Sequence, residues 1–380
     1  MRAIKDKKIA IVGGGPGGLT LARLLQMHGT SVKVYERDAH KDARPKGATL
    51  DLHEESGLAA LQAAGLMDAF RINYRPGADK LLIMDKNGTI VWNDLVNGQQ
   101  DTSRPEIDRG PLQNILLDSL QPDTVIWDRH FISMAPHKEG WLLEFKNGIT
   151  AYADMVIAAD GANSRLRPYI TSIKPFYAGI TIVEGTVYNS ATASPHIHKL
   201  LNGGKIFALS DEKTLIASAK GDGSIAFYTG CKTEEKWSRE CGINFTDKAQ
   251  VTTWFKKEYS GWDDVYLELF ENASPFFTPR PQYCMPPGQA WETLPNLTIL
   301  GDAAHLMPPY AGEGVNMAML DALELSNHLA NKDYTDTLQT IAAYETQMRT
   351  RASATAKDTL EATAALHSPE AIKYMLEIIA

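Results

Sequence analysis

Cysteine is scarce in this sequence: three residues in 380, Cys231, Cys241 and Cys284, with no C-x-x-C pair among them. That argues against a disulfide framework and a zinc site, and it fits a protein of the reducing cytoplasm. A basic excess is also missing, since 38 lysines and arginines face 46 aspartates and glutamates for a net charge of −8. Without a basic stripe interleaved with aromatics, nucleic acid is not an expected partner. No apolar run approaches the ~20 residues of a membrane span, and "MRAIKDKK" leads into the first strand without the apolar core of a signal peptide. A membrane partner is not expected either: the amphipathic "PEAIKYMLEIIA" is read as a helix docking its apolar side on the protein's own surface. Internal repeats, low-complexity tracts and long charge runs are absent as well, which excludes a solenoid and a disordered tail.

What is present is a chain with 44% hydrophobic and 22% charged residues, ordinary for a globular enzyme and long enough for two cores. "IAIVGGGPGGLTLARLLQMHG" (9–29) reads as a buried strand, a glycine turn and an apolar-faced helix. In its G-x-G-x-x-G, Gly13 permits the tight turn, Gly15 lets backbone approach a pyrophosphate, and Gly18 lets helix pack on strand, with helix-start amides facing the phosphates. A second strand, Ser31 to Tyr35, ends at Glu36, near the spacing at which an acid takes ribose hydroxyls and disfavours a 2′-phosphate. The turn with its acid reads as a dinucleotide site in preference to a bare structural bend, FAD and NAD both remaining open.

Two further segments carry chemistry. "MVIAADGANSRLR" (155–167) is a buried strand ending in Asp160-Gly161, with Ser164 and Arg167 beyond it; Asp160 orients the turn, and Arg167 either faces phosphate or caps local carbonyls. In "LTILGDAAHLMPPYAGEGVNMAMLDA" (297–322), a strand delivers Asp302 to the sheet's carboxyl edge, where a carboxylate accepts hydroxyls. Gly312 and Gly314 bring bare backbone to a flat ligand, and a helix starting near Val315 points its positive end there, where it stabilises negative charge. Between these two segments "ITIVEGTVY", "KTLIAS" and "SIAFYTG" alternate as antiparallel strands with one buried face, and from Val315 onward the pattern is helical. "HIH" at 196–198 lacks a third ligand nearby and reads as a loop, so no metal is expected.

Taken in order, the G-x-G-x-x-G with Glu36, the D-G-x-x-S-x-x-R from Asp160, and the G-D-A-A-H-x-x-x-P-x-x-G-x-G-x-N of Gly301 to Asn316 resemble the single-component FAD aromatic hydroxylases over nearly the whole chain. "ERDAHKDARPKGATLDLHEESG", "RPEIDRGPLQNILLDSL" and "GDAAHLMPPYAGEGVN" look most like the tetracycline-inactivating flavin monooxygenases. The resemblance implies an α/β fold: a Rossmann-like, para-hydroxybenzoate-hydroxylase-like FAD domain from residues 1–72, 100–172 and 276–330, a β-rich substrate domain from 73–99 and 173–275, and a C-terminal helical segment, 331–380. It implies FAD held by Gly13, Gly15, Pro16, Gly18, Glu36, Arg37, Arg109, Asp160 and Asp302, with Gly312, Gly314, Val315 and Asn316 lining the isoalloxazine and Arg44 and Asp51 near the nicotinamide donor and flavin. His305 is expected to be structural. The resemblance further implies that NADPH or NADH reduces the flavin, that O2 forms a C4a-hydroperoxide, and that the product is a hydroxylated polycyclic phenol or tetracycline-like molecule; a monomer is expected.

The substrate residues depart from that resemblance. Where the tetracycline enzymes use glutamine, arginine and histidine, this chain carries Glu184, Lys205 and Ala226. Lysine gives up arginine's planar bidentate recognition, and alanine removes a ring with both its nitrogens. Ile180, Ile182 and Glu184 share one strand face, which turns Glu184 toward a cavity. The expected substrate contacts are Glu184 and Lys205, with Pro309 and Tyr310 as the other candidate wall. The alternatives are a hydroxylase of a simpler aromatic metabolite and a drug-sequestering flavoprotein that does not oxygenate; a flavin halogenase is disfavoured because no Trp-x-Trp occurs.

Overall fold

The computed structural model describes residues 4, 6–43, 47, 49–97, 104–331, 333, 334 and 336–379. Arg44 lies outside them. The apolar runs that flank the three motifs form one parallel sheet in the order β17 (Leu297–Ile299), β11 (Met155–Ala158), β1 (Ile9–Val12), β2 (Val32–Tyr35), β7 (Val125–Ile126). Strands β1 and β11 are buried along their whole length, as a sheet covered on both faces requires. Gly17, on helix Pro16–Met27, makes the cover close: a Cβ there would lie 2.7 Å from the Ala318 carbonyl of helix Gly314–Ala330. A three-stranded antiparallel sheet, β8 (Phe131–His137), β9 (Gly140–Phe145) and β10 (Thr150–Ala153), packs into the same core.

The alternating runs build a second sheet of seven strands. Its order is β16 (Thr278–Cys284), β12 (Phe176–Val187), β15 (Ile225–Lys232), β14 (Lys213–Ala219), β13 (Lys205–Ser210), β4 (Leu81–Met84), β5 (Ile90–Asn93), antiparallel except for the β13–β4 pair. One face carries Val183, Ile206, Leu215, Ala217, Ile225 and Phe227, buried against helices Pro195–Leu201, Lys248–Glu258 and Asp264–Asn272 in a core of its own. The other face is turned to the half of the molecule built on the parallel sheet. The boundary expected at 276 is corrected here: β16 pairs with β12, so it belongs to this sheet. Pro279 and Pro281 lack the N–H that a central strand must donate, which confines β16 to the edge and hides it from a search for alternation.

A small two-stranded ladder of β3 (Thr49–Asp51) and β6 (Glu106–Asp108) stands between the two sheets. Helix Thr337–Leu366, about 45 Å long at 1.5 Å per residue, runs from the first core at Ile341 and Tyr344 to a satellite cluster at Leu366. Helix Ala371–Ile379 docks there through Ala371 and Met375 against Ile83 and Leu209, the self-docking expected of the C-terminal amphipathic stretch. Among the described residues no helix is long and apolar enough to cross a membrane.

Candidate active site

A cavity of about 860 Å³ opens at the carboxyl edge of the parallel sheet and ends on the free face of the seven-stranded one. At its first end Gly13 sits at φ +115°, where a Cβ would lie 2.1 Å from the Ala159 carbonyl, and a Cβ on Gly18 would lie 2.2 Å from the Gly13 carbonyl. Glycine is therefore obligatory at both. Gly15 has nothing within 4 Å of its missing side chain and opens onto the cavity beside Pro16, the first helical residue. Glu36 closes the turn: its Oε2 accepts from the Gly14 N–H at 2.6 Å and its Oε1 from the Asp38 N–H at 3.0 Å. It lines the cavity with Arg37.

Asp160 organises the next turn, accepting from the Ser164 hydroxyl (2.6 Å) and the N–H groups of Arg165 (2.8 Å) and Leu166 (3.3 Å). Of the two roles open to Arg167, carbonyl capping is the one found. Its Nε donates to the Ala303 carbonyl at 2.6 Å and its Nη2 to the Asp302 carbonyl at 2.9 Å, tying the second motif to the third. Asp302 opens a short helix and lines the cavity, as does Arg109, which opens helix Arg109–Asp118. Burial raises the Asp302 carboxyl, against the charges of His305, Arg109 and Arg167; burial lowers the Arg109 guanidinium, against Asp302 and Glu184. His305 is structural: its Nε2 lies 2.6 Å from Asp321 Oδ2, which also accepts from the Gly301 N–H at 2.8 Å.

Gly312, at φ +72°, brings its backbone close to Asp51, whose carboxylate oxygens would lie 3.2 Å from an added Cβ. Gly314 and Val315 line the cavity at the start of the long helix. Asn316 does not. Its Nδ2 donates to the Asp51 and Gly312 carbonyls at 2.9 and 3.3 Å, and its Oδ1 accepts from the His53 N–H at 2.9 Å. It braces the loop from behind.

The far wall comes from the free face of the seven-stranded sheet. Cross-strand registers align Phe207, Ile216, Tyr228 and Glu184 in one row and Lys205, Ser218 and Ala226 in the next. All but Glu184 and Ala226 line the cavity. The expected direction of Glu184 holds, but its carboxylate is committed to Arg280 Nε at 2.5 Å and does not reach the cavity. Lys205 does reach it, paired with the buried Glu106. Glu106 stands opposite Asp51 across β3 and β6, two carboxylates in register whose repulsion the single ammonium partly offsets. Burial lowers the lysine, but Glu106 and Asp51 outweigh it and hold Lys205 above its ordinary value. Burial raises Glu106 despite Lys205, whereas for Asp51 the His53 hydrogen bond and the Lys205 charge overcome burial and hold the carboxyl low. Pro309 and Tyr310 complete the wall. The "HIH" stretch is helical, not a loop, with His198 Nδ1 2.9 Å from Ser190 Oγ, and among the described residues no group of three or more His, Cys, Asp or Glu is placed to hold a metal.

Sequence reasoning missed Glu106, Phe207, Ile216, Ser218 and Tyr228. For Phe207, Ile216, Ser218 and Tyr228 the alternation of "KIFALS", "KTLIASA" and "SIAFYTG" carried the signal, without saying which face meets the cavity; for Glu106 no signal was present. The glycine cradle that any Cβ would fill, the helix amides above it, and the buried acceptor Asp302 beside the cation Arg109 together fit a flavin adenine dinucleotide.

The sequence matches the family described as "FAD binding domain" over residues 6–104 and 145–359. Monooxygenase penA of Penicillium thymicola is 28% identical over 376 residues, spanning 87% of this chain and 86% of that protein. Among solved structures, Klebsiella pneumoniae HpxO complexed with FAD and uric acid superposes with a TM-score of 0.78 at 20% identity, covering 100% of this chain and 94% of that one. Tetracycline destructase Tet(55) does so with 0.77 at 19%, covering 98% and 94%. At such identities these structures establish the shared fold. The family match spans most of the chain, and the protein is thereby a member of the FAD-binding-domain family, an FAD-dependent monooxygenase of the aromatic-hydroxylase type.

Proposed function

We propose that this enzyme consumes NAD(P)H and O2 to hydroxylate a planar, electron-rich polycyclic phenol, tetracycline-like scaffolds included, as a cytoplasmic monomer. The observation that carries the reading is the far wall: Phe207, Ile216, Tyr228 and Tyr310 give the cavity broad apolar faces, interrupted by Lys205 and Ser218. Lys205 is bound to Glu106 and Glu184 to Arg280, so the charge nearest the substrate is already compensated. Recognition then rests on ring stacking and a few hydroxyl contacts, which favours a flat fused-ring ligand over a small carboxylate.

FAD, when bound, would supply the redox chemistry, hydride acceptance and activation of O2 toward an electron-rich carbon. The chain's residues bind, orient and shield. Gly13, Gly15 and Gly18 with the amides of helix Pro16–Met27 receive the pyrophosphate, and Glu36 keeps lone pairs for the ribose beyond those given to Gly14 and Asp38. Asp302 accepts ribityl hydroxyls while Arg109 offsets its charge. The N-terminus of helix Gly314–Ala330 would offer dipole stabilisation to negative charge on the cofactor's ring system. The aromatic wall excludes water from the reacting ring.

The experiment is a panel of naphthols, tetracyclines and simple hydroxybenzoates, scored for stimulated oxidation of NADPH and of NADH and for a product heavier by one oxygen. Stimulation and oxygen insertion with fused-ring phenols are expected. Insertion into hydroxybenzoates alone moves the assignment to simpler aromatics, and binding without reductant consumption refutes oxygenation.

A further inference from the structure

Tyr310 lines the cavity, yet its hydroxyl meets residues that do not. Tyr310 Oη, His367 Nε2 and Thr214 Oγ1 converge above Gly230, where a Cβ would lie 2.3, 2.5 and 2.5 Å from them, and neither Gly230, His367 nor Thr214 lines the cavity. His367 caps the C-terminal end of helix Thr337–Leu366 and is wholly buried, with its ring at 83° to Tyr310 and the centroids 4.9 Å apart. Its Nδ1 lies 2.8 Å from the Thr363 carbonyl, which can only accept, so Nδ1 carries the proton. Nε2 is left with a lone pair 3.3 Å from the Tyr310 hydroxyl. Burial pushes the imidazole down to about 4, so it stays neutral and accepting at physiological pH. Substitution at Gly230 would push this trio apart.

We propose that His367 is a positioning residue for the hydroxylation: by accepting the Tyr310 hydroxyl it draws that group into the sheet, so that Tyr310 offers substrate its ring and not its oxygen. This rests on the phenol-hydroxylase reading above and narrows it. The ligand that fits places an aromatic ring against Tyr310, and the hydrogen bonds it needs come from other residues of the wall. The specificity of the cavity is thereby set in part from a helix that does not touch it.

The test uses the FAD-loaded enzyme carrying His367→Leu, His367→Gln, Tyr310→Phe and the double variant His367→Leu/Tyr310→Phe. Melting temperatures close a double-mutant cycle that needs no substrate: each single change lowers stability, and the double variant is no worse than the poorer single one. With 2-naphthol and tetracycline as probes, His367→Leu raises KM about five-fold, the loss of one neutral buried hydrogen bond, while kcat moves less. His367→Gln, whose carboxamide oxygen also accepts, restores most of the KM, and His367→Leu adds nothing in the Tyr310→Phe background. Additive melting-temperature changes, or unchanged KM in His367→Leu, overturn the proposal. If neither probe binds or is turned over by the unmodified enzyme, the substrate reading has failed and this inference falls with it, whatever the stability cycle returns.

Discussion

Replacing Lys205 by alanine should destabilise the protein before it says anything about substrate. The Lys205 ammonium reaches from the seven-stranded sheet to Glu106, whose side chain is 1% exposed, and Glu106 stands in register with Asp51. Deleting one partner of a buried ion pair costs about 3–5 kcal/mol, because the survivor keeps its desolvation penalty. Lys205 is partly open to the cavity, so the lower figure applies. Unfolding entropy of about 2 cal/mol/K per residue gives roughly 0.8 kcal/mol per degree for a cooperative unit of 380 residues, and the melting temperature should fall by about 4 °C. The pH dependence follows from two shifts. Glu106 is raised by burial, so its ionised form is a cost that disappears as pH falls through its folded-state pKa, and the alanine variant enlarges that cost. Asp51 is held low in part by Lys205, which is stability present above the unfolded carboxyl pKa and lost on acidification. The Glu106 shift makes the deficit of Lys205→Ala largest at pH 7–8 and smaller toward pH 5, the Asp51 part stays constant over that range and is lost only below the ordinary carboxyl pKa, and adding Glu106→Gln should recover most of the deficit. Thermal melts of the FAD-loaded variants across that range are the assay. A deficit that grows on acidification, or none at neutral pH, would refute the reasoning. Asp51 also abuts Gly312, so Lys205→Ala should loosen flavin as well, a departure from the purely substrate-side effect that the sequence alone suggests.

The remaining expectations concern retention and specificity. Asp302→Ala should strip FAD on gel filtration, and Arg109→Ala should weaken FAD by about 1.5–3 kcal/mol, the range for hydrogen bonds to a charged group; unchanged flavin dissociation constants would remove either residue from the site. Glu184→Gln should leave substrate KM within about two-fold, since its carboxylate serves Arg280 at the sheet edge and exposed pairs contribute little. A large KM change there would show that Glu184 leaves Arg280 for substrate.

The cofactor half was legible because its signals are local. A strand, a glycine turn and a helix start lie within a few residues of one another, and Gly13, Gly18 and Asp160 do in the structure what their spacing implies. The half built on the seven-stranded sheet was only partly legible because its facts are long-range. Alternation put Glu184 on the right face, but its partner Arg280 lies 96 residues away on an edge strand that two prolines disguise. Glu106 sits in "RPEIDRGP" with nothing to mark it as the counter-ion of a lysine 99 residues later. Asn316 shows the converse: a motif position can be essential to a loop's shape while its side chain never faces the ligand.

The seven-stranded sheet sets a rule for how this enzyme can change. Along β13, β14 and β15 the residues that meet the cavity, Lys205, Phe207, Ile216, Ser218 and Tyr228, alternate one for one with those that fill the core behind, Ile206, Ala208, Leu215, Ala217 and Phe227. Two texts are thus written on alternate letters of the same line. Exchanging single letters edits the chemical vocabulary of the pocket and leaves the other text intact, so new substrates are reachable by point substitution. Inserting or deleting one letter transposes the texts, turning lysine and serine inward and leucine and phenylalanine toward the flavin. Diversification in this half should therefore proceed by replacement within the strands and by length change only in the turns between them.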